Sequence, residues 1–165
     1  MTRTQQMRRH EARTLALSAL FCWELSKSDP LEVFDQVAEG YFSGEGEPAT
    51  GKPEAGAVRP SRDKRFEYAR DLFLSTVTAA SQIDPLIAKA SQGWPLSRMP
   101  RVDLSILRLA VAEAVYLKET PLEVVIDEAL ELSKEFSTHA SQRFVNGVLM
   151  GIFRELWHAK DPRDV

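Results

Sequence analysis

The densest grouping of reactive side chains in the chain is Arg8, Arg9, His10, Glu11 and Arg13, near the N-terminus. Guanidinium groups present planar forks of N–H donors that match phosphate oxygens two at a time, so three of them at one helix end suit a nucleic-acid backbone. His10 adds a ring able to stack on a base or hydrogen-bond to its edge. Glu11 works against this, because a carboxylate repels phosphate unless it points away or pairs with an arginine. From these residues alone two readings stand: RNA contact, or an ordinary solvated basic helix end.

Enzymatic readings are weaker. His10 and Glu11 are adjacent, which turns them about 100° apart on a helix and suits poorly a paired general acid and base. Cys22 is the only cysteine, so it has no disulfide partner in the chain, and it has no sequence-local histidine. His10, His139 and His158 are too scattered to predict a metal cluster. Glu123, Asp127, Glu131 and Glu135 recur every four residues, the pattern of a solvated helix face more than of a catalytic carboxylate pair. No glycine-rich phosphate fingerprint follows a convincing strand. The expectation is a binding protein with no catalytic residues, no metal and no cofactor.

The chain that must position these groups has 165 residues, 44% hydrophobic and 27% charged, which suits one integral domain of ordinary size. Its net charge of −3 is unevenly spread: the nets are +3 for residues 1–27, −5 for 28–60, +3 for 61–101 and −4 for 102–165. That excludes a general basic coat and leaves room for a local basic tip beside acidic surfaces. The basic and then apolar start resembles a signal peptide, but Glu11 and Arg13 interrupt it and no small-residue cleavage context follows. No stretch approaches eighteen uncharged apolar residues. A reducing cytoplasm is the expected setting.

Apolar spacing is helical throughout, apart from a Gly/Pro-rich segment at 43–62, SGEGEPATGKPEAGAVRPSR, read as a flexible insertion outside the core. A first helix is expected from about Met7 to Lys27, with Leu17, Leu20, Phe21, Trp23 and Leu25 on its apolar side. Asp29-Pro30-Leu31-Glu32 offers an N-cap, an N1 proline and an N3 glutamate for a second. Further helices are expected at about 64–81 and 84–90, broken at Asp84-Pro85, and at 103–118 with Asp103 as cap. Thr120-Pro121-Leu122-Glu123 repeats the capping signature before a helix to Phe136, whose apolar face is Leu122, Ile126, Ala129, Leu130, Ser133 and Phe136. The last helix runs from His139 or Ala140 towards Trp157, continuous through Asn146-Gly147, with Gly147 and Gly151 as close-packing positions. Phe21 and Trp23 are expected in the core, and Trp94 as a packing anchor before Pro95.

RRHEARTLALSALFCWELS, SILRLAVAEAVYL, TPLEVVIDEALELSKEF and SQRFVNGVLMGIF, in that order, resemble the NusB transcription-antitermination family over about Arg8 to Trp157. The resemblance implies an all-α fold of seven helices in two tightly packed helical subdomains, about 7–81 and 83–161, within one domain spanning 7–161. It implies binding of single-stranded boxA RNA of ribosomal RNA operon transcripts together with NusE, a small-subunit ribosomal protein, in an antitermination complex with RNA polymerase. The family's arginine-rich pattern falls on Arg8, Arg9, His10 and Arg13, with Glu11 a departure. Its last-helix pattern falls on Ser141 to Gly147, which adds Gln142 as a base contact and Arg143 as a phosphate contact. Ala140 stands where many relatives carry an acid. Relatives occur as monomers or dimers, so self-association is a further expectation. The runner-up is a protein-interaction module of the same fold with little or no RNA binding.

Overall fold

The computed structural model describes residues 3–43 and 64–158; the expected insertion at 43–62 lies, apart from Ser43, outside the described residues. The chain divides into two compact units, Met1–Leu74 and Ser75–Val165. Six α-helices occur among the described residues: α1 Arg3–Ser26, α2 Pro30–Ser43, α3 Lys64–Ala90, α4 Arg101–Ala112, α5 Leu122–Phe136 and α6 His139–His158.

In the first unit α1 packs on α2 through a three-residue turn. Lys27 ends α1 in the left-handed region, φ 53°, with its N–H on the Trp23 carbonyl at 2.8 Å. The Trp23 indole N–H donates to the Ser28 carbonyl at 3.1 Å, and the Lys27 ammonium lies 4.7 Å from the centre of its ring. Trp23 is therefore half-buried and builds the turn, Phe21 is half-buried, and Leu25 is exposed. Asp29 caps α2 as expected, its Oδ1 accepting the Glu32 N–H at 3.1 Å. Phe34 of α2 is fully buried, edge-on to Phe66 at 5.2 Å and stacked on Phe73 at 5.5 Å. Burial of each such ring contributes about 1.5–3 kcal/mol, with about 0.5–1.5 kcal/mol more from a favourable ring pair.

The expected break at Asp84-Pro85 is absent, and α3 runs on through Pro85. This merges two expected helices and accounts for the count of six in place of seven. A mid-helix proline costs about 3 kcal/mol through its missing N–H and its clash with the preceding turn. Ile83 and Ile87, on either side of it, are fully buried, and at about 1.5–3 kcal/mol each they offset that cost. Pro85 itself faces water, and Asp84 accepts a two-pronged bond from Arg108 of α4 at 2.7 and 2.9 Å.

In the second unit α4 packs against α5 and α6, which also pack on each other. Its residues Asp103 to Leu107 and Leu109 to Ala112 are buried, so it is enclosed nearly all round, as a central helix must be. It ends in one wide π-helical turn, Glu113–Leu117, closed by the Lys118 N–H on the Glu113 carbonyl at 3.1 Å.

Two expected caps are otherwise engaged. The carbonyl of Pro100 starts α4, accepting the Leu104 N–H at 3.0 Å, while Asp103 is buried and bonded elsewhere. Thr120 leaves the start of α5 to the Pro121 carbonyl and donates its hydroxyl to buried Glu113 at 2.9 Å. A buried carboxylate left without donors costs more than a missing cap, so the tertiary bond wins.

The buried face of α5 is Val125, Ala129, Leu132 and Ser133; Phe136, expected inside, is 46% exposed. The acidic row Glu123, Asp127, Glu131 and Glu135 is exposed. Helix α6 is continuous, and Gly151 lies beside Ala90 of α3, where a Cβ would stand 3.5 Å from Ala90 Cβ, an ordinary van der Waals contact that does not require glycine. Gly147 packs on nothing: a Cβ there would meet no atom within 4 Å.

Candidate nucleic-acid interface

Arg8, Arg9, His10 and Arg13 all lie on α1 in the first unit; the side chain of Arg8 lies outside the described residues. Arg9 and Arg13 are four positions apart, hence on one face, and both rest on Tyr68 of α3, their guanidinium carbons 5.2 and 5.9 Å from its ring centre. A cation over an aromatic face gains about 0.5–1 kcal/mol when exposed and about 2 kcal/mol when desolvated. Arg9 and His10 are half-buried. Arg13, expected at the RNA-facing surface, is instead buried at 2% exposure, which makes it a support for the patch and not its outer layer.

Glu11 does not oppose the patch as its sequence position suggests. Its Oε2 accepts Arg65 Nη1 of α3, pairing one carboxylate with one guanidinium. Arg65 and Tyr68 are the residues that sequence reasoning missed. No signal within α1 points to them, because the pairing is made between helices more than fifty positions apart in the chain.

Gln142 and Arg143 lie on α6, in the second unit, and are described apart from the α1 cluster. Gln142 is half-buried and Arg143 exposed. The turn leading into them is fixed by Asp103, which is 2% exposed and accepts the Ser137 hydroxyl at 2.5 Å and the Ser141 hydroxyl at 2.8 Å on its two oxygens. Thr138 caps α6, its Oγ1 accepting the Ser141 N–H at 3.3 Å. A carboxylate bonded this way holds its donors about twice as strongly as a neutral acceptor does. The start of α6 is therefore pinned immediately before its two polar candidates. Phe144, next along, is half-buried against Trp94, ring centres 6.2 Å apart. Trp94 was expected to be a packing anchor; it is 53% exposed, since Phe144 covers it in part only.

Among the described residues no group of three His, Cys, Asp or Glu side chains is placed to hold a metal ion, and no helix is long and apolar enough to cross a membrane. Exposed Cys22 lines a shallow cavity of about 220 Å³ with Ser26, Ser28, Glu32, Val33, Gln36 and Val37, a lining that offers it no histidine base.

The NusB family model matches residues 10–154. The transcription antitermination protein NusB of Desulforamulus reducens is 38% identical over 143 residues, 87% of this chain and 87% of its own. That of Geobacter sp. strain M21 is 38% identical over 86% of this chain and 90% of its own. A crystal structure of the antitermination factors NusB and NusE in complex with double-stranded RNA contains a chain of similar fold. Its TM-score is 0.73 at 28% identity, covering 90% of this chain and 98% of that one. The solution structure of NusB from Aquifex aeolicus gives a TM-score of 0.71 at 28% identity, covering 93% of each chain. With the family model matching residues 10–154 and these relatives 38% identical over most of both chains, this chain belongs to the NusB family.

Proposed function

We propose that this protein is a transcription-antitermination adaptor of the cytoplasm that binds boxA RNA of ribosomal RNA transcripts together with NusE, within a complex that includes RNA polymerase. The observation that carries the reading is the match of nearly the whole chain to a NusB fold whose relative was crystallised with NusE and RNA. NusB family members are non-catalytic adaptors, and this chain is not an enzyme.

In this reading Arg8 and Arg9 contact phosphates, His10 stacks on or bonds to a base, and Arg13 holds Tyr68 and Arg9 in place from beneath. Glu11 is paired with Arg65 of α3. At α6, Arg143 takes a phosphate and Gln142 a base edge. Phosphate contacts supply a salt-dependent attraction without sequence information; the preference for boxA rests on stacking and base-edge bonds. RNA held by these contacts raises the effective concentration of NusE at a neighbouring surface, and the linkage is reciprocal.

The test is the affinity for a boxA-containing single-stranded RNA and for a base-scrambled RNA of equal length, with and without purified NusE. Tighter, sequence-dependent binding with NusE is the expected result. Binding to NusE with no RNA-dependent gain leaves a protein-interaction module, and binding to neither removes the assignment. Self-association is read by sedimentation equilibrium over a concentration series, where a single species of monomer mass throughout excludes a dimer.

A further inference from the structure

Trp94 is placed where a large aromatic side chain gains little from the fold, yet the chain around it is fixed. Its N–H donates to the Ser91 carbonyl at 3.2 Å, and its own carbonyl accepts the Ser91 hydroxyl at 3.0 Å. Gln92 and Gly93 take left-handed φ of 48° and 86°, which for Gln92 is a strained conformation. Strain is therefore accepted in a turn that presents the indole half in water, 53% exposed, with Phe144 at one side. One turn further along α6 is Gly147, exposed and with open space where a Cβ would stand. A mid-helix glycine is less stable than alanine, and no group among the described residues uses the room it leaves.

The two chain segments that form this shelf are rich in arginine, and the nearest exposed carboxylate after them, Glu155, is paired with Lys89. From Ala90 to Val102 and from Ser137 to Arg154 the sequence contains no carboxylate, while Arg98, Arg101, Arg143 and Arg154 are exposed, in a chain whose net charge is −3. These two segments meet at the Trp94–Phe144 contact. An exposed aromatic face, with exposed Arg143 next to its backing ring Phe144 on α6, suits a ligand that is planar and anionic at once, which describes a nucleotide.

We propose that Trp94, backed by Phe144 and bordered by Gly147, is a stacking platform for an unpaired base of the bound RNA, with Arg143 on an adjoining phosphate. This rests on the RNA-binding reading above and adds to it a site for the base.

The experiment uses the full chain and the variants Trp94→Ala, Trp94→Phe and Gly147→Ala. Each is measured with the boxA-containing single-stranded RNA across a salt series, with NusE in the absence of RNA, and by thermal unfolding. Trp94→Ala is expected to weaken RNA binding about ten-fold, with the slope of log affinity against log salt unchanged, because no phosphate contact is lost. Trp94→Phe restores most of that affinity. Gly147→Ala raises the thermal midpoint while lowering RNA affinity, two effects of opposite sign that a structural role alone does not produce. Unchanged RNA affinity in Trp94→Ala and Gly147→Ala overturns the proposal, as does a loss accompanied by a shallower salt slope. Loss of NusE binding with RNA affinity intact also overturns it and assigns the shelf to a protein surface. If Trp94→Ala does not fold, Trp94→Phe and Gly147→Ala still decide. Wild type that binds no RNA sinks the functional reading itself, whereas wild-type binding with indifferent variants removes this site alone.

Discussion

The basic end of α1 and the start of α6 hold their polar groups by opposite means. On α1 the charged groups themselves are held: Arg9 and Arg13 lie on Tyr68, and Glu11 is tied to Arg65. On α6 the backbone is held, by Asp103 on Ser137 and Ser141 and by the Thr138 cap, while Arg143 reaches into solvent. The difference concerns entropy. A guanidinium already resting on a ring loses less rotamer freedom on meeting a phosphate than one on a free stem, which gives up about 0.5–1.5 kcal/mol on immobilisation. A pinned backbone instead secures the register of its side chains and leaves their tips to adapt.

The contrast is broken most severely at Asp103. Asp103→Ala removes a buried carboxylate that satisfies two hydroxyls, and is expected to lower the unfolding free energy by about 3 kcal/mol, read as a lower urea midpoint with an unchanged slope. Asp103→Asn keeps one acceptor and is expected to cost about half as much. A loss in Asp103→Ala too small to measure defeats the idea that the carboxylate pins α6. Next in size is Tyr68→Ala, which takes away the half-buried ring under both α1 guanidiniums. It is expected to destabilise by about 2 kcal/mol and to weaken RNA binding by removing the support of Arg9.

The charges come third. Arg8→Ala with Arg9→Ala is expected to flatten the salt dependence of RNA binding by about 1.4 in slope, against about 0.7 for Arg143→Ala. Equal slopes for the double and the single variant would contradict the assignment of two phosphate contacts to α1. The smallest effect is expected at Gln92, whose left-handed φ suits glycine better. Gln92→Gly relieves strain but gains entropy in the unfolded chain, for a net stabilisation under about 1 kcal/mol in thermal unfolding.

Two short stretches show what the sequence conveyed and where it stopped. Asp29-Pro30-Leu31-Glu32 reads as a helix start and is one, because the capping bond from the Glu32 N–H to the Asp29 carboxylate is made within the motif. Thr120-Pro121-Leu122-Glu123 has the same pattern and also precedes a helix, yet its threonine serves Glu113 of the preceding wide turn. Local capping is legible; competition from a buried carboxylate elsewhere in the chain is not. The same holds at Pro85, where burial of Ile83 and Ile87 overrides a breaker. At the candidate sites the arginines were visible from type and spacing. The burial of Arg13, the Tyr68 and Arg65 partners and the exposure of Trp94 depend on which helix faces which, information that no single helix carries.

The turn between α1 and α2 gives the molecule an optical consequence. Trp23 has its N–H on the Ser28 carbonyl and an ammonium over its ring, whereas Trp94 and Trp157 are open to water, at 53% and 64% exposure. Dissolved iodide is expected to quench the two open indoles readily and Trp23 much less. Emission that survives the quencher then reports whether the α1–α2 turn is closed, in the same sample whose quenched fraction reports what covers Trp94.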